Sequence, residues 1–138
     1  MELTKEGSYI AVVMEHGEDL ESNLKEIAER EKGTPLLVIA SALGMLEKIK
    51  MGYWNGKNYE IHEIDEPSEL LGISGLITPK TDPKYHLHII VGLRNGQVMG
   101  GHFIEAQVCN TLEMFLITYD IPVIRREDGG LKKLRFVK

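Results

Sequence analysis

Residues Tyr85 to Phe103 read YHLHIIVGLRNGQVMGGHF, and this stretch predicts a β-hairpin that carries three histidines. Apolar and polar residues alternate in its first half, as they do in a strand with one buried face. His86 and His88 are therefore expected on one face and Leu87 on the other. The Cα atoms of His86 and His88 would lie roughly 6.5–7 Å apart, which lets both imidazoles reach one metal ion.

The position of His102 depends on how the hairpin closes at the Asn95-Gly96 turn signal. A two-residue loop of Asn95 and Gly96 would place His102 opposite Ile89, on the wrong face. A three-residue loop from Arg94 to Gly96 places His102 opposite His88. We predict the three-residue loop.

This loop has two requirements that the sequence meets. Leu93 must pair with Gln97, and Gly96 must adopt the left-handed conformation that glycine tolerates best. Gly100 and Gly101 precede His102, where they could host a bulge that corrects the register. They could equally allow a ligand or another backbone to approach closely.

Three converging imidazoles match the composition of a catalytic-type zinc site, which keeps a fourth position open. The predicted ligands are His86, His88 and His102, holding Zn²⁺ or another divalent transition metal. The alternative is that they are ordinary polar residues, since two histidines at this spacing often occur by chance. We favour the metal site.

The composition is that of an ordinary globular protein. The 138 residues are 43% hydrophobic and 27% charged, which predicts a single domain over residues 1–138. The formal net charge of −5 argues against wide non-specific nucleic-acid binding. Basic residues cluster only near the C-terminus, where we predict a strand with a solvated basic edge: Lys132, Lys133, Arg135 and Lys138.

The remaining candidate residues are assigned structural roles. A single cysteine, Cys109, excludes an intramolecular disulfide and is expected to be a small buried side chain. His16 and His62 are expected to be surface or hydrogen-bonded residues. Because no signal peptide and no apolar run of about 18 residues occurs, we predict a cytoplasmic protein with no membrane contact.

The order of predicted elements indicates an α+β domain, mainly an antiparallel β-sheet flanked by one or more helices. A strand over Ser8 to Glu15 is followed by a helix with an apolar stripe of Leu20, Leu24, Ile27 and Ala28. The other predicted strands are Pro35–Leu43, Met45–Trp54, Lys57–Ile64, Glu69–Pro79 and part of Ala106–Tyr119, with a last hairpin closed by Gly129-Gly130.

Several short motifs together resemble the plants and prokaryotes conserved domain, the PPC domain, in its stand-alone prokaryotic type. The resemblance covers most of the chain, from about Tyr9 to Thr118. The motifs are Gly-Glu-Asp-Leu at 17–20, Ala-Leu-Gly at 42–44, Glu-Leu-Leu-Gly-Ile-Ser-Gly at 69–75, His-Leu-His at 86–88, Gly-Gly-His at 100–102 and Thr-Leu-Glu at 111–113.

The resemblance implies an antiparallel sheet flanked by helices, a homotrimer, and a metal held by the histidines of these motifs. Those histidines are His86, His88 and His102. It also implies a domain core over about 9–118, with a C-terminal hairpin and tail over 119–138. Plant members carry AT-hook segments that bind DNA, but this sequence has no Arg-Gly-Arg-Pro core and no basic arm.

Two functions follow, and whether the protein is an enzyme stays open. The first is metal-assisted chemistry on a small molecule, as in a hydrolase or lyase. Glu105 is a candidate proton-transfer residue because it is close in sequence, and the resemblance adds Glu69 and Glu113, although an ordinary surface role is the default for each. The second is a DNA-associated regulatory or interaction module, in which the metal is structural and a trimer clusters three basic tails.

A third possibility is a metal bound at a subunit interface that only stabilises the assembly, although structural zinc sites are usually cysteine-rich. The trimer itself would use apolar strand surface that one helix cannot cover. The residues available for this are Ile73, Leu76, Ile77, Met114, Phe115, Leu116 and Ile117.

Overall fold

The computed structural model describes all residues from 1 to 138 and confirms the α+β prediction. One helix accompanies nine strands, and all strand pairings are antiparallel. The elements are β1 (Glu2–Glu6), β2 (Tyr9–Glu15), α1 (Leu20–Arg30), β3 (Leu36–Trp54), β4 (Tyr59–Ile64), β5 (Ser68–Ile77), β6 (Tyr85–Gly92), β7 (Val98–Tyr119), β8 (Val123–Asp128) and β9 (Leu131–Phe136).

Seven strands form the main sheet in the order β1-β2-β7-β6-β5-β3-β4. Strand β3 also pairs with β7, so β7, β6, β5 and β3 form a closed ring of strand pairings. The two C-terminal strands, β8 and β9, form a separate hairpin, as the Gly129-Gly130 signal predicted. Closure leaves few free strand edges in the ring, which protects it from pairing with other chains.

Helix α1 begins directly after its N-cap residue, Asp19. The Asp19 carboxylate accepts a hydrogen bond from the Ser22 N–H at 2.8 Å. The predicted apolar stripe is completely or almost completely buried, and it joins the same core as β2 and β7. Each of the three large side chains of the stripe, Leu20, Leu24 and Ile27, contributes about 1.5–3 kcal/mol by leaving water. This helix is too short and too polar to cross a membrane.

Two predicted strands prove to be one. The segments Pro35–Leu43 and Met45–Trp54 form the single 19-residue strand β3, which continues through Gly44. Gly44 has φ +144°, and a Cβ there would overlap the carbonyl oxygen of Thr111 on β7. Glycine therefore does not end the strand. It allows the two long strands to stay in close contact while β-bulges bend them.

Strand β1 was not predicted, because its sequence ELTKE is mainly polar and has no buried face. It nevertheless pairs with β2 over five residues at the edge of the sheet. The left-handed conformation of Gly7, φ +58°, makes the tight turn between the two strands. Pairing with an existing strand, not local propensity, accounts for this element.

Most of the apolar residues expected at a subunit contact belong to the chain's own core. Ile77, Met114 and Leu116 are at most 1% exposed, and Ile73 is also buried. Phe115 alternates with them and points outward, 54% exposed. It belongs to an apolar patch on one face of β2, β7 and β3, which we define as Tyr9, Val13, Leu43 and Phe115.

Candidate metal centre

The β6–β7 hairpin closes through the predicted three-residue loop. The Leu93 N–H donates to the Gln97 carbonyl at 2.8 Å, and the Gly96 N–H donates to the Leu93 carbonyl at 2.9 Å. Gly96 has φ +87°, as the turn requires. The resulting register pairs His88 directly with His102. The loop prediction, and with it the shared face of these two histidines, is confirmed.

The three histidines meet on one face of the hairpin. The ring centroids of His86 and His88 are 5.1 Å apart, those of His86 and His102 are 5.2 Å apart, and those of His88 and His102 are 6.0 Å apart. One ring nitrogen from each lies within 4.8 Å of the other two. The ring planes are inclined to one another by 51° to 86°, so the three imidazoles face the shared space from different directions.

An aromatic ring from another strand holds His102 in place. Tyr59 on β4 stacks on it, with ring centroids 4.2 Å apart and planes inclined by 14°. The Tyr59 ring lies over Gly52 of β3, where a Cβ would come within 2.8 Å of it. On the other side, a Cβ at Gly101 would lie 2.9 Å from the Gly52 carbonyl oxygen. Glycines on both strands thus allow this close packing.

Gly100 and Gly101 allow another backbone to approach closely, and they do not form the bulge that was the other possibility. The register of β6 with β7 runs without interruption from His88 to Gly92, so no bulge is present at the glycine pair. The close approach of backbone described above is the role that the structure supports.

The surroundings favour neutral imidazoles. Burial, followed by the neighbouring His86 and His88, lowers the pKa of His102 to about 4. Burial, His88 and Arg125 also lower the pKa of His86. Both side chains are therefore uncharged at neutral pH, the form that binds metals.

One nitrogen at the centre has no protein partner. The Nδ1 atom of His102 is buried and makes no hydrogen bond. A buried polar atom without a partner is costly, and metal coordination or a hydrogen bond to a bound group would remove this cost. The donor set, the protonation states and this atom all fit a divalent transition metal.

A groove of about 1080 Å³ opens beside the histidines. His86 and His102 lie in its wall together with Tyr59, Tyr85 and Phe103, and the β8–β9 hairpin forms another side through Arg125. Burial raises the pKa of Tyr85 to about 12, so its hydroxyl is protonated at neutral pH. The triad therefore borders a space large enough for a small molecule.

The three glutamates considered as proton-transfer residues lie elsewhere. Glu105 is paired with Lys50 at 2.9 Å and lines a different, smaller cavity of about 330 Å³. Glu69 and Glu113 are exposed on β5 and β7, and neither lines the groove. The carboxylates that do line it, Glu21, Glu29 and Asp82, come from α1 and the β5–β6 connection, so we assign no catalytic base.

A second group of metal-binding residue types comprises His16, Glu47 and Cys109. The Nδ1 atom of His16 accepts a hydrogen bond from the Asn110 N–H at 2.9 Å, which agrees with its predicted role as a satisfied polar residue. Burial and Glu47 raise the pKa of the Cys109 thiol, which therefore stays protonated. His62 is exposed on β4, also as predicted.

The sequence profile of the Plants and Prokaryotes Conserved (PCC) domain matches residues 1–120. This chain belongs to the PCC domain family. The resemblance drawn from the short motifs is confirmed by this match. No curated protein matches the sequence.

Solved structures show the same PCC-domain fold. A plant- and prokaryote-conserved (PPC) protein from Pyrococcus horikoshii superposes with a TM-score of 0.82 at 23% identity, covering 99% of this chain and 95% of the other. A "putative dna binding protein" from Bacteroides thetaiotaomicron has a TM-score of 0.87 at 22% identity, covering 98% and 96%. A metal-containing protein from Archaeoglobus fulgidus has a TM-score of 0.78 at 29% identity, covering 96% and 94%.

Proposed function

We propose that this PCC-domain protein binds one divalent transition metal, zinc in the first instance, through His86, His88 and His102. The observation that carries the proposal is the convergence of three imidazoles on one point, one of them with a buried nitrogen that has no partner. The metal-containing relative from Archaeoglobus fulgidus supports it. Three histidine ligands leave a fourth position for water or a ligand.

The proposed function is metal-assisted chemistry on a small molecule that enters the groove. A zinc ion in such a site supplies a Lewis acid and lowers the pKa of bound water towards neutrality. The chain's own residues orient the ligands: the hairpin register presents His88 and His102 side by side, and Tyr59 fixes the His102 ring. The aromatic wall of the groove would exclude water from part of the ligand.

The test is metal content, measured by elemental mass spectrometry on untagged protein. We expect about one zinc per chain in the wild type, because three histidines form one site. The variant His88→Ala should lose most of this zinc, since two imidazoles are a poor site. Because His88 is exposed, its replacement should leave the fold intact.

The matched control is His62→Ala, which removes an exposed histidine from β4, outside the triad. It should keep the zinc content of the wild type. The proposal would be wrong if the wild type, refolded or dialysed with zinc, held no metal, or if both variants kept the same amount.

A DNA-associated role is the second candidate, and one feature favours it. Residues 123–138, the β8–β9 hairpin and its end, contain six cationic and two acidic side chains in a chain whose net charge is −5. Such a local basic surface can attract phosphates despite the overall negative charge. In this case the metal would be structural.

We expect any DNA retention at low salt to fall steeply as salt rises and to be lost in the double variant Lys132→Ala, Lys133→Ala. Both lysines are exposed, so the hairpin should persist. The variant Lys80→Ala, Lys57→Ala removes two exposed lysines elsewhere and should retain DNA as the wild type does. Absence of retention by the wild type would end this candidate.

We further propose that the protein is a homotrimer assembled through the apolar patch. The patch residues are between 40% and 66% exposed, and they lie together on neighbouring strands. Exposed apolar side chains clustered on one face of a sheet are typical of a protein–protein contact, although Glu113 lies between Val13 and Leu43 in this cluster. The number three comes from the resemblance to the family, and the cytoplasmic location stays a prediction.

A further inference from the structure

Arg125 projects from β8 towards the groove and is partly buried there. Its Nη1 atom donates a hydrogen bond to the Lys132 carbonyl oxygen at 3.2 Å across the β8–β9 hairpin. This contact fixes one edge of the guanidinium group. It also fixes the direction in which the opposite edge points.

The other edge, formed by Nε and Nη2, has no partner in the chain. Both atoms are buried, neither makes a hydrogen bond, and no carboxylate lies within 4.0 Å of the group. These two N–H groups point the same way and match the two oxygens of a carboxylate. Leaving charged donors buried and unpaired is among the costliest arrangements in a protein.

We infer that the Nε and Nη2 edge of Arg125 binds the carboxylate of a small-molecule ligand that occupies the groove beside the histidine triad. This inference names the class of ligand for the proposed function. Only the ligand's contact with the metal rests on that proposed function. The carboxylate contact itself needs no metal, since both donor atoms belong to the chain.

The rest of the groove suits an anion with an apolar body. Five cationic and three acidic side chains line it. Two of the acidic ones, Glu21 and Glu29, are paired with lysines, and two of the cationic ones, Lys25 and Lys133, are paired with carboxylates. Tyr59, Tyr85 and Phe103 add aromatic surface. Arg125 and His86 both lie in the wall of this groove.

The experiment measures binding of benzoate by isothermal titration calorimetry, with benzamide as a neutral ligand of the same shape. We expect saturable benzoate binding to the wild type and much weaker binding of benzamide. Arg125→Gln should weaken benzoate binding roughly 10- to 100-fold, as expected for loss of a bidentate charged contact. Arg125→Lys should weaken it as well, because lysine keeps the charge and lacks the two-donor edge.

The matched control is Arg126→Gln, which removes the same charge from the next, exposed position of β8. It should bind benzoate like the wild type. The comparison of benzoate with benzamide on the wild type does not depend on any variant folding. Inorganic phosphate serves as a third probe and should bind more weakly than benzoate, since it lacks an apolar body.

Each titration is run on zinc-loaded protein and on protein treated with a chelator. Benzoate binding that depends on Arg125 in a protein unable to hold zinc would sink the proposed function and support this inference. If the protein binds zinc but has equal affinities for benzoate and benzamide, this inference is wrong and the proposed function stands. The same holds if the protein binds zinc and Arg125→Gln binds benzoate as tightly as the wild type. A smaller oligomer in Arg125→Gln, without benzoate binding by the wild type, would also overturn the inference, since the carboxylate would then belong to another copy of the chain.

Discussion

Replacing Gly44 by alanine is expected to lower the free energy of unfolding by about 3 kcal/mol or more. Gly44 has φ +144°, where an L-residue is strained, and an added Cβ would overlap the Thr111 carbonyl oxygen and lie 2.8 Å from the Leu112 Cα. Both neighbours are backbone atoms of β7, so no side chain can rotate away. The strands β3 and β7 would have to separate at the point where the ring of strands closes.

The measurement is urea unfolding followed by the fluorescence of the single tryptophan, Trp54. Gly56→Ala is the control, because Gly56 has φ +98° but nothing within 4 Å of its added Cβ. Gly56→Ala should lower the free energy of unfolding by about 1 kcal/mol, because the backbone conformation is strained for alanine but the added Cβ meets no other atom. Equal losses in both variants would show that the contact with β7 is not the cause.

Phe115→Glu is expected to convert the proposed trimer of about 47 kDa into monomers of 15.6 kDa. Phe115 is 54% exposed in the single chain, so the charge can be accommodated without disturbing the core. In an assembly that buries the apolar patch, the same carboxylate would be taken out of water without a partner, which is strongly unfavourable.

Size-exclusion chromatography with light scattering gives the mass directly. Phe136→Glu makes the same change at a 63% exposed position on β9, outside the apolar patch, and should keep the mass of the wild type. A wild-type protein that is monomeric at high concentration would refute the trimer. An unchanged mass in Phe115→Glu would place the contact on another surface.

The hairpin of β6 and β7 shows how much local sequence determines. Alternation alone placed His86 and His88 on one face, and the three-residue loop, one of two that the turn signal allowed, adds His102 in the structure. Both inferences use interactions between residues close in the chain. The same holds for the capped helix α1 and for the final hairpin at Gly129-Gly130.

Other features depend on residues far apart in the chain. Gly44 looked like the end of a strand, and only its contact with Thr111 on β7 explains why the strand continues. Tyr59 reaches His102 because β3 lies between β4 and β7 and has a glycine at the crossing point. No local pattern distinguishes Arg125 in the sequence, and only the folded β8–β9 hairpin places it in the wall of the groove.

The sequence by itself determined the class of fold and the faces of the strands, because both follow from the period of a strand. It left two registers open for the β6–β7 hairpin, and the folded chain has the one that brings His102 beside His88. Tertiary structure decided which apolar residues are core and which form the exposed patch, and which polar atoms are left buried without partners. These properties depend on what packs against each residue, and strand pairings over long separations determine that packing.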